Sequence, residues 1–307
     1  MEKYYLSALD SFNPDFNFVC TIGVFDGNHL AHKQIFDLLL ASSKERGLKC
    51  GIFTFLRNLK NDDQLFSLEE DRLDHYESLG IDFCVIFDGS RDFFNISYLD
   101  FDLKYLAKAS LIIVGDDFRY GKDRLGDIKT LSHNHEVLVV NLLKIGGEKV
   151  SSSLIRNYLM NGDINNANKL LYKPFSISGT VIKGNQIGSQ MGIKTANINY
   201  PRNTVKIKNG VYKSYCYVDG LKFDAISFVG TKPTVNGKEL IVESHIFDFL
   251  GDLYDKMIKI EFLEFLREET RFNSIEELKA QILIDIKKVG RWEYLYLVQW
   301  KKKLKVY

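Results

Sequence analysis

The first half of the chain alternates between short apolar runs and segments with helical spacing. Apolar runs of strand length occur at Phe18–Phe25, Gly51–Phe55, Phe83–Phe87, Leu111–Val114 and Val137–Leu143. Segments with a broad apolar helical face lie at His32–Lys44, Leu68–Leu79 and Tyr98–Ala109. Because strands and helices that alternate in this way build a parallel sheet covered on both faces, the pattern predicts an α/β domain. Ligands of such sheets bind beyond the carboxyl ends of the strands.

After Pro174 the hydrophobic period changes to two, which is typical of antiparallel strands. Alternating or apolar runs occur at Ser176–Ile182, Val211–Val218, Lys222–Val229, Leu240–Phe247 and Met257–Phe265. The dipeptides Asp219-Gly220 and Asn236-Gly237 are strong hairpin signals because both residue pairs suit tight turns. Several such strands in about 90 residues predict a small antiparallel β-barrel.

A helix-rich stretch at Ser151–Leu171 separates the two patterns, and Pro174 ends it because proline cannot continue a helix. We therefore predict two domains, residues 1–172 and residues 173–307.

The second domain is predicted to end in a helix. Ser274, with Glu277 three residues later, forms a capping-box signature, and the helix is expected to run on through Trp292. The basic segment 300–305 follows, and its lysines are interpreted as complementing the helix dipole rather than binding a membrane or nucleic acid.

Composition restricts the class of protein. The 307 residues are 45% hydrophobic, and 41 Lys and Arg against 40 Asp and Glu give a net charge of +1. Such a balance argues against an overall electrostatic attraction to nucleic acid or to anionic membranes. The scattered cysteines form no C-x-x-C pair. We find no secretory signal and no apolar segment of membrane length, so we expect a soluble, cytoplasmic protein. The sequence gives no oligomeric state.

The first candidate site follows the first apolar run. In Thr21–His32 a glycine-bracketed turn leads to His29 and His32, three residues apart where a helix begins. Residues at this spacing share a helix face, and a helix N-terminus favours phosphate. The alternative is a pair of metal ligands or ordinary surface histidines, although no third ligand with suitable spacing is near.

This segment resembles the G-x-F-D-G-x-H-x-G-H signature in the nucleotidylyltransferase half of the bacterial bifunctional riboflavin kinase/FAD synthetases. The matching residues are Gly23, Phe25, Asp26, Gly27, His29 and His32, and Ala31 stands for the usual glycine. Val114–Asp127 and Val150–Arg156 resemble two further blocks of the same half, the second with Ser153 for a threonine. The loop 54–58 lacks the prolines that the family carries there. The resemblance implies a Rossmann-like nucleotidylyltransferase domain.

The resemblance also implies the roles of individual residues in this half, which would adenylylate FMN to FAD. The residues implied to bind ATP are Gly23, Phe25, Asp26, His29, His32, Ser151, Ser152 and Arg156. Catalysis is implied for His29, His32 and Arg156, and flavin contact for Asp117. Hydroxyls followed by an arginine can hold phosphate oxygens, whereas the alternative for a serine-rich helix start is an ordinary cap.

In the second half, Gly184–Ile198 resembles the riboflavin kinase glycine-rich loop and its P-T-A-N motif. Glycines spaced four apart can wrap a phosphate chain with backbone N–H groups. The residues implied to bind ATP are Gly184, Gly188, Gly192, Thr195 and Asn197, the last two also holding Mg²⁺. Lys194 replaces the proline of the motif, and Ser189 replaces an arginine that is common in bacterial members.

Glu243 matches the general base of the family, which takes the proton from the riboflavin 5′-hydroxyl as it attacks the γ-phosphate of ATP. Without the motif, a glutamate on a barrel strand more often lies on a solvated face. His245 is interpreted as packing or polar support. Arg267 matches an arginine that lies near the flavin, so Glu243 and Arg267 are both implied to contact it.

The resemblance extends from about residue 15 to residue 290 and implies a bifunctional enzyme. Its substrates and products would be riboflavin, FMN, FAD and ATP, with Mg²⁺ as cofactor and no nucleic-acid or membrane partner. One alternative is an enzyme with only the FAD synthetase half active, its kinase half kept as a flavin-binding scaffold, which Lys194 and Ser189 motivate. The other is a non-catalytic flavin or nucleotide sensor.

Overall fold

The computed structural model describes residues 1–27, 29–56, 65–66, 69–141, 143–184, 193–234 and 237–291. The chain divides into two compact units. The first comprises Met1–Leu154 with Leu170–Tyr172, and the second comprises Ile155–Lys169 with the chain from Lys173 onward.

The described strands of the first unit are β1 (Glu2–Leu6), β2 (Phe18–Ile22), β3 (Lys49–Phe55), β4 (Phe83–Phe87), β5 (Ala109–Gly115), β6 (Arg119–Tyr120), β7 (Gly126–Asp127), β8 (Val137–Val140), β9 (Lys144–Ile145) and β10 (Glu148–Lys149). Its helices are α1 (Leu30–Arg46), α2 (Glu69–Ser78), α3 (Arg91–Phe94), α4 (Tyr98–Phe101) and α5 (Ile128–Leu131). Six of these strands form one sheet in the order β1-β4-β3-β2-β5-β8, with every pairing parallel. The predicted α/β fold is confirmed.

Both faces of the sheet are covered, because the central strands carry apolar side chains on each face. One face holds an aromatic cluster in which the Phe18 and Phe53 rings lie 5.7 Å apart and the Phe12 and Phe83 rings 5.4 Å apart. On the other face, α1 and α2 contribute buried side chains such as Leu39. The sequence pattern missed β1 because this edge strand is polar and mostly exposed.

The helix predicted at Tyr98–Ala109 is not continuous. It begins as α4 and passes into a π-helical turn at Asp102–Leu106. The Asp102 carboxylate is buried, accepts a hydrogen bond from Asn134 Nδ2 at 2.9 Å, and pairs closely with His135 Nε2. A π turn that follows an α-helix is a local irregularity that periodicity does not reveal.

The Asp102–His135 pair makes stability depend on pH. Burial is the largest influence and would raise the pKa of Asp102, but the hydrogen bonds from His135 and Asn134 outweigh it and lower that pKa. Burial likewise would lower the pKa of His135, but its hydrogen bond to Asp102 outweighs this and raises it. Asp102 contributes its full share of the free energy of unfolding above pH ~4, and His135 contributes its full share below pH ~6.5. The pair therefore stabilises the fold most between these two values.

We expect Asp102→Asn to lower the free energy of unfolding by about 3 kcal/mol near pH 5.5, because it leaves a buried imidazolium without its carboxylate. The loss should shrink as the pH rises through the elevated pKa of His135. Urea unfolding followed by circular dichroism at pH 5.5 and pH 8.5 measures both values. Asp74→Asn, at an exposed position on α2, is the control. An equal loss at both pH values would contradict this account.

The second unit contains a closed barrel. Its strands are β11 (Ser176–Ile182), β12 (Ala196–Asn199), β13 (Gly210–Val218), β14 (Leu221–Thr234), β15 (Gly237–Ile246) and β16 (Met257–Glu268), in the order β11-β12-β15-β14-β13-β16. All described pairings are antiparallel, so the predicted barrel is confirmed. Buried hydroxyls link three strands, with Ser214 and Ser244 each hydrogen-bonded to Ser227 at 2.7 and 2.6 Å.

The remaining described helices are α6 (Ser152–Met160), α7 (Ile164–Leu170) and α8 (Ile275–Lys288). The Ser274 side chain caps α8 as predicted, while the Glu277 carboxylate accepts from the Asn273 N–H rather than from Ser274. The extension through Trp292 was wrong, because α8 ends at Lys288 and Gly290 has a φ of +83°. No helix among the described residues is long and apolar enough to cross a bilayer.

Candidate functional site

The first candidate site lies where β2 and β5 end. These strands are parallel neighbours, so the turn after each begins at the same edge of the sheet. The turn after β2 carries the glycine-bracketed segment and leads into α1, and the turn after β5 carries Asp117.

Phe25 gives the turn after β2 an unusual backbone. Its φ is +46°, in the left-handed region that non-glycine residues rarely adopt. Gly23 is required beside it, because a Cβ there would lie 2.7 Å from the Phe25 ring. The Phe25 ring is buried, with its centroid 5.1 Å from that of His32 and 5.1 Å from that of Phe36. The structure therefore places this side chain in the core beneath His32.

The two predicted histidines lie together. His29 caps α1, and its Nδ1 accepts a hydrogen bond from the His32 N–H at 3.3 Å. The two rings stack with centroids 3.6 Å apart. His29 is buried, and His32 Nδ1 is buried without a hydrogen-bond partner among the described residues. Because His29 Nδ1 is an acceptor, its ring proton resides on Nε2.

Burial keeps both imidazoles uncharged. It lowers the pKa of His29 to about 4. Burial is also the largest cause of the lowered pKa of His32, followed by the charges of His29 and Arg72. At neutral pH the two rings therefore offer neutral N–H donors, and a bound phosphate anion would shift each of them toward the charged form.

The start of α6 lies beside the same turn. Ser152 Oγ donates to Asp26 Oδ1 at 3.4 Å. A Cβ on Gly27 would lie 3.0 Å from Ser152 Oγ and 3.2 Å from the His29 ring, so the close approach requires glycine. Ser151 Oγ accepts from the Leu154 N–H, as an ordinary cap does. The structure thus brings Asp26, His29 and Ser152 together.

Arg156 and Asp117 are two further residues predicted for this reaction. Arg156 is half-buried, follows Ser152 by four residues on α6, and belongs to the second compact unit. Asp117 is exposed, and its carboxylate pairs with Lys149 Nζ at 2.6 Å. The sequence did not single out Lys149, because only the fold brings the β9–β10 hairpin to the turn after β5.

In the second unit, β12 carries the end of the second candidate motif. Asn197 is buried, and its Nδ2 donates to the Thr195 carbonyl at 3.4 Å. A Cβ on Gly184 would lie 2.4 Å from the Asn197 amide, so the first glycine of the loop is needed for this contact. Gly188 and Gly192, together with Ser189, lie outside the described residues.

Glu243 lies directly opposite Asn197 in the β12–β15 pairing. It is half-buried, so it does not lie on the fully solvated face that the alternative interpretation required. Burial raises the pKa of Glu243, and the positive charge of Lys232 on β14 partly offsets this. A carboxylate with a raised pKa is better matched to proton abstraction near neutral pH. The sequence did not assign Lys232 an effect on Glu243, since that effect depends on how the strands of the barrel pair.

His245 supports the same motif. Its Nδ1 donates to the Lys194 carbonyl at 2.7 Å, and its ring packs edge-on against Phe247 at 5.0 Å. Lys194, which replaces the proline of the motif, has an exposed side chain. The backbone at this position is therefore fixed from β15 even without proline.

Arg267 forms an ion pair with Asp285. Its Nε donates to both Asp285 oxygens, at 2.9 and 3.1 Å, and its Nη2 lies 2.9 Å from Oδ2. Asp285 is 2% exposed and also accepts from Gln281 Nε2 at 3.0 Å. The pair fixes α8 against β16, and the sequence missed Asp285 because no motif marks it.

Comparison with known proteins identifies related families for both halves. A family model described as FAD synthetase matches residues 13–154, and one described as riboflavin kinase matches residues 171–293. The bifunctional riboflavin kinase/FMN adenylyltransferase of Bacillus subtilis is 31% identical over 290 residues, covering 89% of this chain and 92% of the relative. The protein of the same name from Buchnera aphidicola is 33% identical over 295 residues, covering 90% and 94%.

Among solved structures, a protein named macrolide-efflux protein from Streptococcus pneumoniae aligns with a TM-score of 0.87 and 26% identity. The alignment covers 95% of this chain and all of that chain. Efflux is part of the name of the Streptococcus pneumoniae protein, and we do not assign that activity to this chain.

Proposed function

Because this chain belongs to the family of bifunctional riboflavin kinase/FMN adenylyltransferases, we propose that each of its halves contains one of two separate active sites. The chain is a transferase that phosphorylates riboflavin to FMN and adenylylates FMN to FAD, with ATP as co-substrate. We assign adenylyl transfer to residues 1–172 and phosphoryl transfer to residues 173–307. The observation that carries the assignment is the pairing of Asn197 with Glu243 far along the chain from the stacked His29 and His32.

In adenylyl transfer, an FMN phosphate oxygen attacks the α-phosphorus of ATP and pyrophosphate leaves. The reaction needs no covalent enzyme intermediate, so catalysis is positioning together with stabilisation of charge. His29 and His32 are proposed to donate N–H hydrogen bonds to phosphate oxygens. The stacking of their rings fixes both donors before substrate binds.

The remaining residues of this half are proposed to hold ATP and flavin. Ser151, Ser152 and Arg156 would bind phosphate through hydroxyl and guanidinium groups at the start of α6. The turn that includes Gly23, Phe25 and Asp26 would let backbone approach ATP, and Asp117 would contact the flavin.

In phosphoryl transfer, the riboflavin 5′-hydroxyl oxygen attacks the γ-phosphorus, ADP leaves, and Glu243 accepts the hydroxyl proton. The half-buried position of Glu243 opposite Asn197 supports this role. Gly184, Gly188 and Gly192 are proposed to bind the ATP phosphates. Arg267 is proposed to border the flavin while Asp285 holds its guanidinium in place.

Thr195 and Asn197 are proposed to hold Mg²⁺. A half-buried hydroxyl and a buried amide oxygen are neutral oxygen ligands, which suit an ion that completes its shell with phosphate and water. When bound, the ion would offset negative charge on the phosphate oxygens. We also propose a cytoplasmic location and, from the net charge of +1, no nucleic-acid or membrane partner.

Chromatography of flavins tests the function directly. Purified protein is incubated with ATP and MgCl₂ and either riboflavin or FMN, and we expect FAD from both. FAD from FMN alone would favour the scaffold alternative for the kinase half. No product from either flavin, with flavin still bound, would favour the sensor.

We expect Lys194→Pro combined with Ser189→Arg to raise the kinase rate by no more than about fivefold, the factor that corresponds to a proline entropy effect near 1 kcal/mol. Proline retains the carbonyl that His245 already fixes, so little preorganisation remains to be gained. Initial rates of FMN formation measure the effect, with the wild-type chain as the reference. A gain of 100-fold or more would support the scaffold alternative.

A further inference from the structure

Arg72 on α2 is fully buried, although it carries a permanent positive charge. Among the residues that the structure describes, no carboxylate forms an ion pair with it. Its partners are main-chain carbonyls at the ends of β2 and β3. Nη1 donates to the Leu56 carbonyl at 2.8 Å, and Nη2 donates to the Phe55 carbonyl at 3.0 Å and closely to that of Val24. A buried charge is costly unless it is hydrogen-bonded, so this placement indicates a specific role.

The carbonyl of Val24 connects Arg72 to the first site. Val24 stands immediately before Phe25, whose φ is +46°. Thr54 Oγ1 also donates to the Val24 carbonyl, at 3.1 Å, and itself lies 3.1 Å from Arg72 Nη2. The turn after β2 is thus tied to the end of β3 through one guanidinium.

Tyr76 makes a second link from the same helix. It lies one turn after Arg72 on α2, and its hydroxyl donates to the Phe25 carbonyl at 3.3 Å. Both carbonyls around the left-handed residue are therefore held from α2. A strained conformation persists only where its surroundings determine it, and these contacts supply that restraint.

We propose that Arg72 is a positioning residue for adenylyl transfer, holding the Val24–Phe25 turn so that the Phe25 ring fixes His32 beside His29. The inference rests on the proposed function of this half. Three links connect Arg72 to His32. Arg72 holds the Val24 carbonyl, the backbone places the Phe25 ring, and that ring contacts His32 with centroids 5.1 Å apart.

The charge of Arg72 has a second effect on the site. After burial and the charge of His29, it is a further cause of the lowered pKa of His32. Among the described residues, the charged or titratable groups that lower the pKa of His32 are His29 at the cap of α1 and Arg72 on α2. Loss of the Arg72 charge would therefore raise the pKa of His32 toward its ordinary value.

Arg72→Met tests the proposal with two readouts. We expect kcat for FAD formation from FMN to fall by about 100-fold, the effect of a small misplacement of catalytic groups, with the KM for FMN within about threefold of wild type. The acid limb of the pH profile should move to higher pH. Arg72→Lys, which keeps the charge, should retain the wild-type acid limb and recover part of kcat.

Riboflavin phosphorylation by the same variants reports the integrity of the other half. Arg91→Met, at an exposed position on α3, is the matched control and should leave both rates unchanged. Tyr76→Phe covers the case in which Arg72→Met fails to fold, and we expect it to lower kcat for FAD formation about fivefold through one lost hydrogen bond.

Normal FAD formation by Arg72→Met, or a reduced rate with an unchanged acid limb, would overturn the proposal. If Arg72→Met does not fold, a wild-type rate for Tyr76→Phe would overturn it. Absence of FAD formation by the wild-type chain would instead refute the proposed function, so the two failures are distinguishable.

Discussion

Glu243→Gln is expected to lower the rate of riboflavin phosphorylation by about 10²- to 10⁴-fold, the usual contribution of a general base. Glutamine keeps the shape of the side chain opposite Asn197 but cannot accept the proton of the 5′-hydroxyl. Conversion of FMN to FAD by the same variant should be unchanged, because His29 and His32 remain intact. Initial rates with each flavin substrate measure both effects.

The pH dependence of the kinase reaction follows from the same residue. Glu243 acts as a base only when ionised, and burial, partly offset by Lys232, raises its pKa above the ordinary value of about 4.3. The rate should therefore fall as the pH decreases through this raised pKa. Glu239→Gln is the matched control, since Glu239 is exposed and lies on the same face of β15. Equal loss of activity in Glu239→Gln and Glu243→Gln would contradict the assignment.

His29→Ala together with His32→Ala is expected to lower FAD formation from FMN by at least about 10²- to 10³-fold, the effect of removing one preorganised donor. The neutral rings present fixed N–H groups at the start of α1, and alanine offers none. Riboflavin phosphorylation should continue, so FMN should accumulate. Chromatography of the flavin products measures both outcomes.

Stability must be separated from chemistry in this variant, because His29 also caps α1. Asparagine is a good N-cap, so His29→Asn should retain helix stability while still losing the imidazole donor. His133→Ala removes an exposed histidine of the same unit and should have no effect on either reaction. Unchanged FAD formation in the double alanine variant would show that the histidine pair does not serve catalysis.

Sequence periodicity predicted the buried strands because their apolar residues are local and continuous. All residues of β4 are buried, and the prediction matched its bounds. The strand β12 was missed because its four residues include Asn197 and Asn199, which interrupt the apolar pattern. Polar residues inside an element obscure the pattern when their burial depends on partners elsewhere in the chain.

From spacing alone the site could be predicted only where its residues are neighbours in sequence, whereas Ser152, Asn197 and Glu243 were implied by the family resemblance. The turn after β2 carries its signal within a few residues, and the pairing of His29 with His32 follows from helix geometry. Arg72 and Asp285 carry no such signal, since each acts on backbone or side chains brought near by the fold. The position of the Phe25 ring likewise depends on its left-handed backbone, which the surrounding sequence does not specify.

The most direct test of two separate sites is the product pattern of two variants with two flavins. Glu243→Gln and the double variant His29→Ala/His32→Ala are each incubated with ATP, MgCl₂ and either riboflavin or FMN. We predict a crossed pattern, in which Glu243→Gln makes FAD from FMN but phosphorylates riboflavin at least about 100-fold more slowly, and the double variant converts riboflavin to FMN but forms FAD at least about 100-fold more slowly. Loss of both reactions in either folded variant would contradict the assignment of one reaction to each half.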